Sequence, residues 1–164
     1  MDGYEIQMFE VYPNLFIGTE NDCFFQQEDC WAVVHACKSP CHQRALGYKG
    51  SLPNTHPYYL VFEHGNHLFL NMIDPSQPLF MPPLFVASLN FVEKHISERK
   101  VLIHCNLGLS RAPSLALLYL AKRAKAVNNE NYGSAAQDFT KLFPNYSPSR
   151  GIVIYLSTHW NDLQ

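Results

Sequence analysis

Eight consecutive residues hold the reactive chemistry of this chain: His104-Cys105-Asn106-Leu107-Gly108-Leu109-Ser110-Arg111. A short loop entering a helix turns successive backbone N–H groups toward one point, and the helix dipole adds positive potential there. Residues Asn106, Leu107, Gly108, Leu109, Ser110 and Arg111 would form such an anion cradle. Gly108 gives the backbone freedom for the tight turn, and Pro113 in the first helical turn costs little because its missing donor would be unpaired there anyway. A cysteine at the mouth of the cradle feels the same field as a bound phosphate, which favours its thiolate as a nucleophile. Arg111 brings a planar guanidinium that grips two phosphate oxygens at once. It can also stabilise their charge as phosphorus transfers. Separately, a Cys ending a buried strand is usually an inert small hydrophobe, and an Arg in a first helical turn is usually a surface residue. Together, in a strand-loop-helix context, they read as nucleophile, oxyanion donors and charge clamp.

The elements that must position this loop are legible on either side of it. Lys100-Val101-Leu102-Ile103-His104 is a short apolar run that predicts a strand, and Ser110 to about Ala126 an Ala/Leu-rich helix. Lys122, Arg123 and Lys125 close that helix, where positive charge complements the dipole. Upstream, Leu15-Phe16-Ile17-Gly18 and Trp31 to Ala36 predict strands, as does His67 to Met72, running out at Asp74-Pro75. Pro82 and Pro83 mark the start of a helix ending near Glu98. Further helices are expected over Ser134–Phe143 and Arg150–Trp160. The stretch from about Lys38 to Asn66, broken by Pro40, Gly47, Gly50, Pro53, Pro57 and Gly65, predicts a long irregular loop with room for one strand at Tyr58–Phe62. Strands alternating with helices imply an α/β architecture, a central mostly parallel sheet flanked by helices. In such sheets ligands bind beyond the carboxyl ends of the strands, where the loop lies.

His104-Cys105-x-x-Gly108-x-Ser110-Arg111 resembles the signature of the cysteine-dependent phosphatase superfamily, and its Gly and Ser are similar to the dual-specificity branch. The order of strands and helices over most of residues 11–160 is similar too. The resemblance implies a protein tyrosine phosphatase-like fold, one domain over residues 1–164 with its core at about 11–160. It implies phosphate-monoester hydrolysis on phosphotyrosine, and on phosphoserine or phosphothreonine if the pocket is shallow, through a phosphocysteine. Cys105 and Arg111 carry the chemistry, with His104 in support. The family takes its general acid from an aspartate on a loop some thirty residues earlier; Asp74 lies 31 positions before Cys105 and is the only acid between Glu63 and Glu93. The alternative for Asp74 is a turn residue before proline. One departure stands out. The residue after the signature arginine is usually Ser or Thr, whose hydroxyl helps the thiolate depart; here it is Ala112. Slow hydrolysis of the phosphocysteine is therefore expected. Neutral Asn106, Leu107 and Leu109 favour a singly phosphorylated substrate over inositol phospholipids. Two other readings stay open: a phosphate-binding module of weak or lost turnover, and a different thiolate enzyme such as a sulfur transferase or arsenate reductase.

Composition bounds the rest. The 164 residues, 47% hydrophobic and 16% charged, suit a globular domain with a sizeable core. A formal charge of -2 argues against a nucleic-acid or anionic-membrane surface. Met1 to Glu10 carries no signal or lipidation motif, and no apolar run is long enough to span a membrane, so a cytoplasmic monomer acting on phosphorylated proteins or peptides is expected. The cysteines, at 23, 30, 37, 41 and 105, are expected to be reduced thiols. His35, Cys37, Cys41 and His42 have residue types that could ligate zinc, but lack the paired spacing of a closed site. No metal and no organic cofactor is called for. Cys37, ending a strand expected beside Cys105, is a candidate to trap an oxidised Cys105 as a disulfide.

Overall fold

The computed structural model describes residues 8–25 and 29–164. Residues 1–7, within the Met1–Glu10 stretch expected to carry no targeting motif, lie outside this description. Six strands form one sheet: β1 Phe9–Tyr12, β2 Leu15–Gly18, β3 Trp31–His35, β4 Val61–His64, β5 His67–Leu70 and β6 Lys100–His104, in the order β1-β2-β6-β3-β5-β4. The neighbours β2, β6, β3 and β5 run parallel, while β1 and β4 pair antiparallel at the two edges. The expected mixed, mostly parallel sheet flanked by helices is the architecture found.

The sheet's two-residue period divides its side chains between two interiors. Ala32, Val34, Val101, Ile103 and Cys105 face the main core, built with α2 Pro82–His95, α3 Arg111–Lys122, α4 Tyr132–Leu142 and α5 Arg150–His159. Trp31, Val33 and Leu102 pack on the other face. There the sheet is covered by the helical turn Glu20–Phe25 and by the segment Lys38–His42 with the short α1 Gln43–Leu46. Helix α3 is buried along its whole length, which explains why Ala and Leu fill most of its middle, from Leu115 to Ala121.

Most boundaries follow the sequence. Pro82 and Pro83 open α2, and the side chains of Asn131 and Ser149 cap α4 and α5 by accepting from Ser134 N and Ile152 N. Helix α3 stops earlier than Ala126 because Lys125 takes a left-handed φ of 55°. The stretch 38–66 is more structured than expected. It carries a helical segment over Lys38–Leu46, and its strand is Val61–His64 rather than Tyr58–Phe62. That strand turns through Gly65-Asn66 straight into β5 as a hairpin. No helix among the described residues is long and apolar enough to cross a membrane.

Candidate active site

Strand β6 ends at His104, and α3 begins at Arg111; the loop between them lies at the carboxyl edge of the sheet. Gly108 has a φ of 73°, and a Cβ there would stand 2.9 Å from the carbonyl oxygen of Gly18. Glycine is thus required twice over, by the turn and by the close approach of β2. Cys105 is buried with its sulfur facing α3, and the Ala112 N–H donates to Sγ at 3.4 Å. The helix N-terminus therefore points a donor at the sulfur, as the anion-cradle reading requires.

Arg111 is nearly buried, and the protein fixes one side of its fork. Nη1 donates to Met72 O at 2.9 Å and Nη2 to Asn106 Oδ1 at 2.5 Å. Its Nε is buried without a protein hydrogen-bond partner. Asn106 is itself anchored, its Nδ2 donating to Glu20 Oε2 at 2.8 Å and to Ser39 O at 2.9 Å. The sequence marks Asn106 only as a neutral loop position; the structure gives it the work of aiming Arg111.

Asp74 reaches the cradle from the segment after β5. Its Oδ1 accepts from Ser110 Oγ at 3.0 Å, and the same Oγ accepts from Ser149 N at 2.8 Å. The acid segment also leans on α5, where a Cβ on Gly151 would overlap the carbonyl oxygens of Pro75 and Gln77. Gly151 is a further position sequence reading missed, since nothing local separates it from an ordinary helix glycine. Ser114 does not serve the sulfur: its hydroxyl shares a hydrogen bond of 2.7 Å with Tyr146 OH. The hydroxyl absent at Ala112 is thus not replaced by Ser110 or Ser114, both engaged elsewhere.

Behind the loop the side chains alternate to the opposite face. His104 Nε2 lies 2.7 Å from His35 Nδ1, and His35 Nε2 lies 3.0 Å from His67 Nδ1. This contact follows from register, since His35 and His104 are direct partners across β3 and β6. Burial, the largest cause, lowers the His104 pKa to about 4 and that of His35 well below the ordinary value, so both are neutral at physiological pH. Cys37 packs with Cys23 and Cys41 on this rear face, whereas Cys105 belongs to the main core.

Among the aromatic residues of the stretch 38–66, Tyr59 lines a cavity of about 540 Å³ beside the Asp74 segment, with Lys38, Asn54, Ile73, Leu79 and Met81. Tyr48 is held by His42 Nδ1 at 2.6 Å, and Tyr58 and His64 pack on Phe62. Around the cradle mouth the rim is apolar, with Leu107 73% exposed and Leu109 38%.

A mixed sheet of this order, with a cysteine-to-arginine loop between its central strand and a buried helix, is the dual-specificity type of the cysteine phosphatase fold. A human tyrosine phosphatase-like serine/threonine/tyrosine-interacting protein superposes with a TM-score of 0.63 at 20% identity, covering 94% of this chain and 96% of that one. No family model matches. Among curated proteins the chain is 29% identical over 100 residues to dual specificity protein phosphatase YVH1 of Plasmodium falciparum, 60% of this chain and 17% of that protein. It is 27% identical over 138 residues to human dual specificity protein phosphatase 16, 84% of this chain and 19% of that protein. The chain thus spans less than a fifth of the length of these relatives. The resemblance to the dual-specificity branch holds in both its relatives and its fold.

Proposed function

We propose that the chain is a cysteine-dependent protein phosphatase that hydrolyses phosphotyrosine, and phosphoserine or phosphothreonine where they reach the cradle, through a phosphocysteine. The observation that carries this reading is the Ser110 hydroxyl joining Asp74 to the phosphate loop at 3.0 Å. It brings an acid to the one loop that also holds a thiol and a guanidinium.

In this mechanism the Cys105 thiolate attacks phosphorus while the backbone N–H groups of residues 106–111 and Arg111 hold the three equatorial oxygens. The bond to the leaving oxygen breaks, and Asp74 gives that oxygen its proton. Asp74, now a carboxylate, takes a proton from water as the water oxygen attacks the phosphocysteine. Phosphate leaves and the thiolate is restored. The Ala112 N–H supports the departing sulfur without help from a neighbouring hydroxyl. His104, neutral and buried, supports the loop from behind. Residues 1–164 act as one phosphatase domain with its core at about 11–160, a reading supported by the single six-stranded sheet. Phosphorylated proteins or peptides are the substrates. A reducing, cytoplasmic setting suits the buried thiols Cys23, Cys37 and Cys41.

Hydrolysis of a small aryl phosphate at mildly acidic pH tests this. Cys105→Ser should abolish turnover, and Asp74→Asn should reduce it by about 10²–10⁴-fold. Turnover surviving Cys105→Ser would overturn the mechanism. The second reading, a phosphate-binding module, is favoured by one observation, Ala112 in place of a hydroxyl residue. Vanadate binding by a wild-type chain with no turnover would select it.

A further inference from the structure

The rear face of the sheet ends in a cluster of soft ligands in which the phosphatase reading gives a task to His104 alone. The turn Glu20–Phe25 brings Cys23, the segment after β3 brings Cys37 and Cys41, and β6 brings His104. Asp22 holds the first of these in place, its Oδ2 accepting from Thr19 N at 2.6 Å. All four residues are buried. The ligand atoms of Cys23, Cys41 and His104 lie within 4.8 Å of one another. Cys41 Sγ is 3.8 Å from His104 Nε2, and Cys23, Cys37 and Cys41 pack together as one buried cluster.

A tetrahedral zinc ion with Zn–S near 2.3 Å and Zn–N near 2.0 Å separates sulfur from nitrogen by roughly 3.6 Å and sulfur from sulfur by roughly 3.8 Å. Cys23, Cys41 and His104 already stand near those spacings; Cys37, packed against Cys23 and Cys41 but outside that 4.8 Å group, must turn its thiol inward to join them. We propose that Cys23, Cys41 and His104, with Cys37 as fourth ligand, bind a zinc ion behind the phosphate cradle.

The surroundings suit a closed structural site. His104 Nδ1 faces Cys105 O at 3.4 Å, the carbonyl contact that commonly orients a metal-bound imidazole. Coordination through Nε2 replaces the bond to His35, which keeps its contact with His67. Binding releases one proton from each thiol, and three thiolates with one zinc leave a single negative charge. Arg44 and Arg111 lie close enough to act on Cys23 and Cys37 and so offset it. The ligands stand far apart in sequence, so neither the His35-Cys37 nor the Cys41-His42 pair reveals the set. The ion would pin the residue just before Cys105 to the two segments that hold Asn106, through Glu20 and Ser39. This inference stands on the cluster and does not depend on catalytic activity.

Cobalt(II) is the probe. The full chain, free of any histidine tag, is reduced, stripped of metal and titrated with Co²⁺, then with Zn²⁺. One equivalent of cobalt should give thiolate-to-cobalt charge-transfer absorption and the visible bands of a tetrahedral site, both erased by one equivalent of zinc. Zinc should also raise the melting temperature, since it binds the folded state. Cys105→Ser should keep the bands, and Cys23→Ser combined with Cys41→Ser should lose them. Absence of charge-transfer absorption in the wild-type chain would overturn the proposal. So would bands that vanish with Cys105→Ser, because the metal would then sit on the nucleophile. The wild-type and Cys105→Ser titrations decide the matter even if the double variant does not fold.

Discussion

The two sides of β6 at its carboxyl end differ by one residue in sequence and by everything else in environment. Cys105 faces α3 and the loop to Arg111, whose exposed rim is Leu107 and Leu109 and within which Arg111 Nε is buried without a protein partner. His104 faces the other way, into a closed set of imidazoles and thiols that hydrogen-bond to one another. The period of a strand accounts for this: neighbouring residues must point to opposite faces. The front is arranged to receive something that comes and goes. The rear is arranged to keep the front in place. Substitutions at the front should therefore change turnover at nearly constant stability, and substitutions at the rear should change stability first.

The largest effect expected is at the front. Arg111→Lys keeps a charge but loses the planar fork, and kcat/KM should fall by about 10²–10³-fold with phosphate monoesters. Steady-state kinetics beside a thermal melt checks it; an equal loss of stability would erase the contrast. Next comes the rear. His35→Ala removes a buried ring and leaves the imidazole of His104 without its 2.7 Å partner, so unfolding by urea should show a loss of about 3 kcal/mol. A neutral result there would show that the rear is not a support. Asn106→Ala frees Nη2 of Arg111 and should lower kcat/KM roughly tenfold through misaiming, with substrate affinity also reduced. The smallest effect sharpens the front alone. Ala112→Ser adds one hydrogen bond to the departing thiolate and should speed dephosphorylation by about tenfold at most. Rapid-quench measurement of the second step reads this directly, and no change would mean that the Ala112 N–H already suffices.

The same comparison explains what was legible in the sequence. The front lies in one contiguous stretch, so Cys105, Arg111 and the flanking strand and helix could be read from residue types and spacing. Asp74 was legible through the family resemblance, and the structure brings it to Ser110. The rear could not be read, because Cys23, Cys41 and His104 meet only after three segments fold together. Asn106 and Gly151 escaped for a related reason: their work depends on Arg111 and on the carbonyls of Pro75 and Gln77, partners no local pattern announces. Strand β1 was missed because only Val11 in it is buried, leaving no alternation to detect. The β4–β5 hairpin did leave a signal, Gly65-Asn66 between two apolar runs, outweighed by the prolines and glycines that precede it.

The central claim is that Cys105 carries phosphate during turnover. The direct measurement is acid quench within milliseconds of mixing enzyme with a labelled phosphotyrosine peptide, followed by mapping of the labelled residue. The account predicts a burst approaching one phosphate per chain, on Cys105 and absent from Cys105→Ser, with the label accumulating because Ala112 slows its release. Steady turnover with no labelled protein in the wild type, and undiminished turnover in Cys105→Ser, would contradict it.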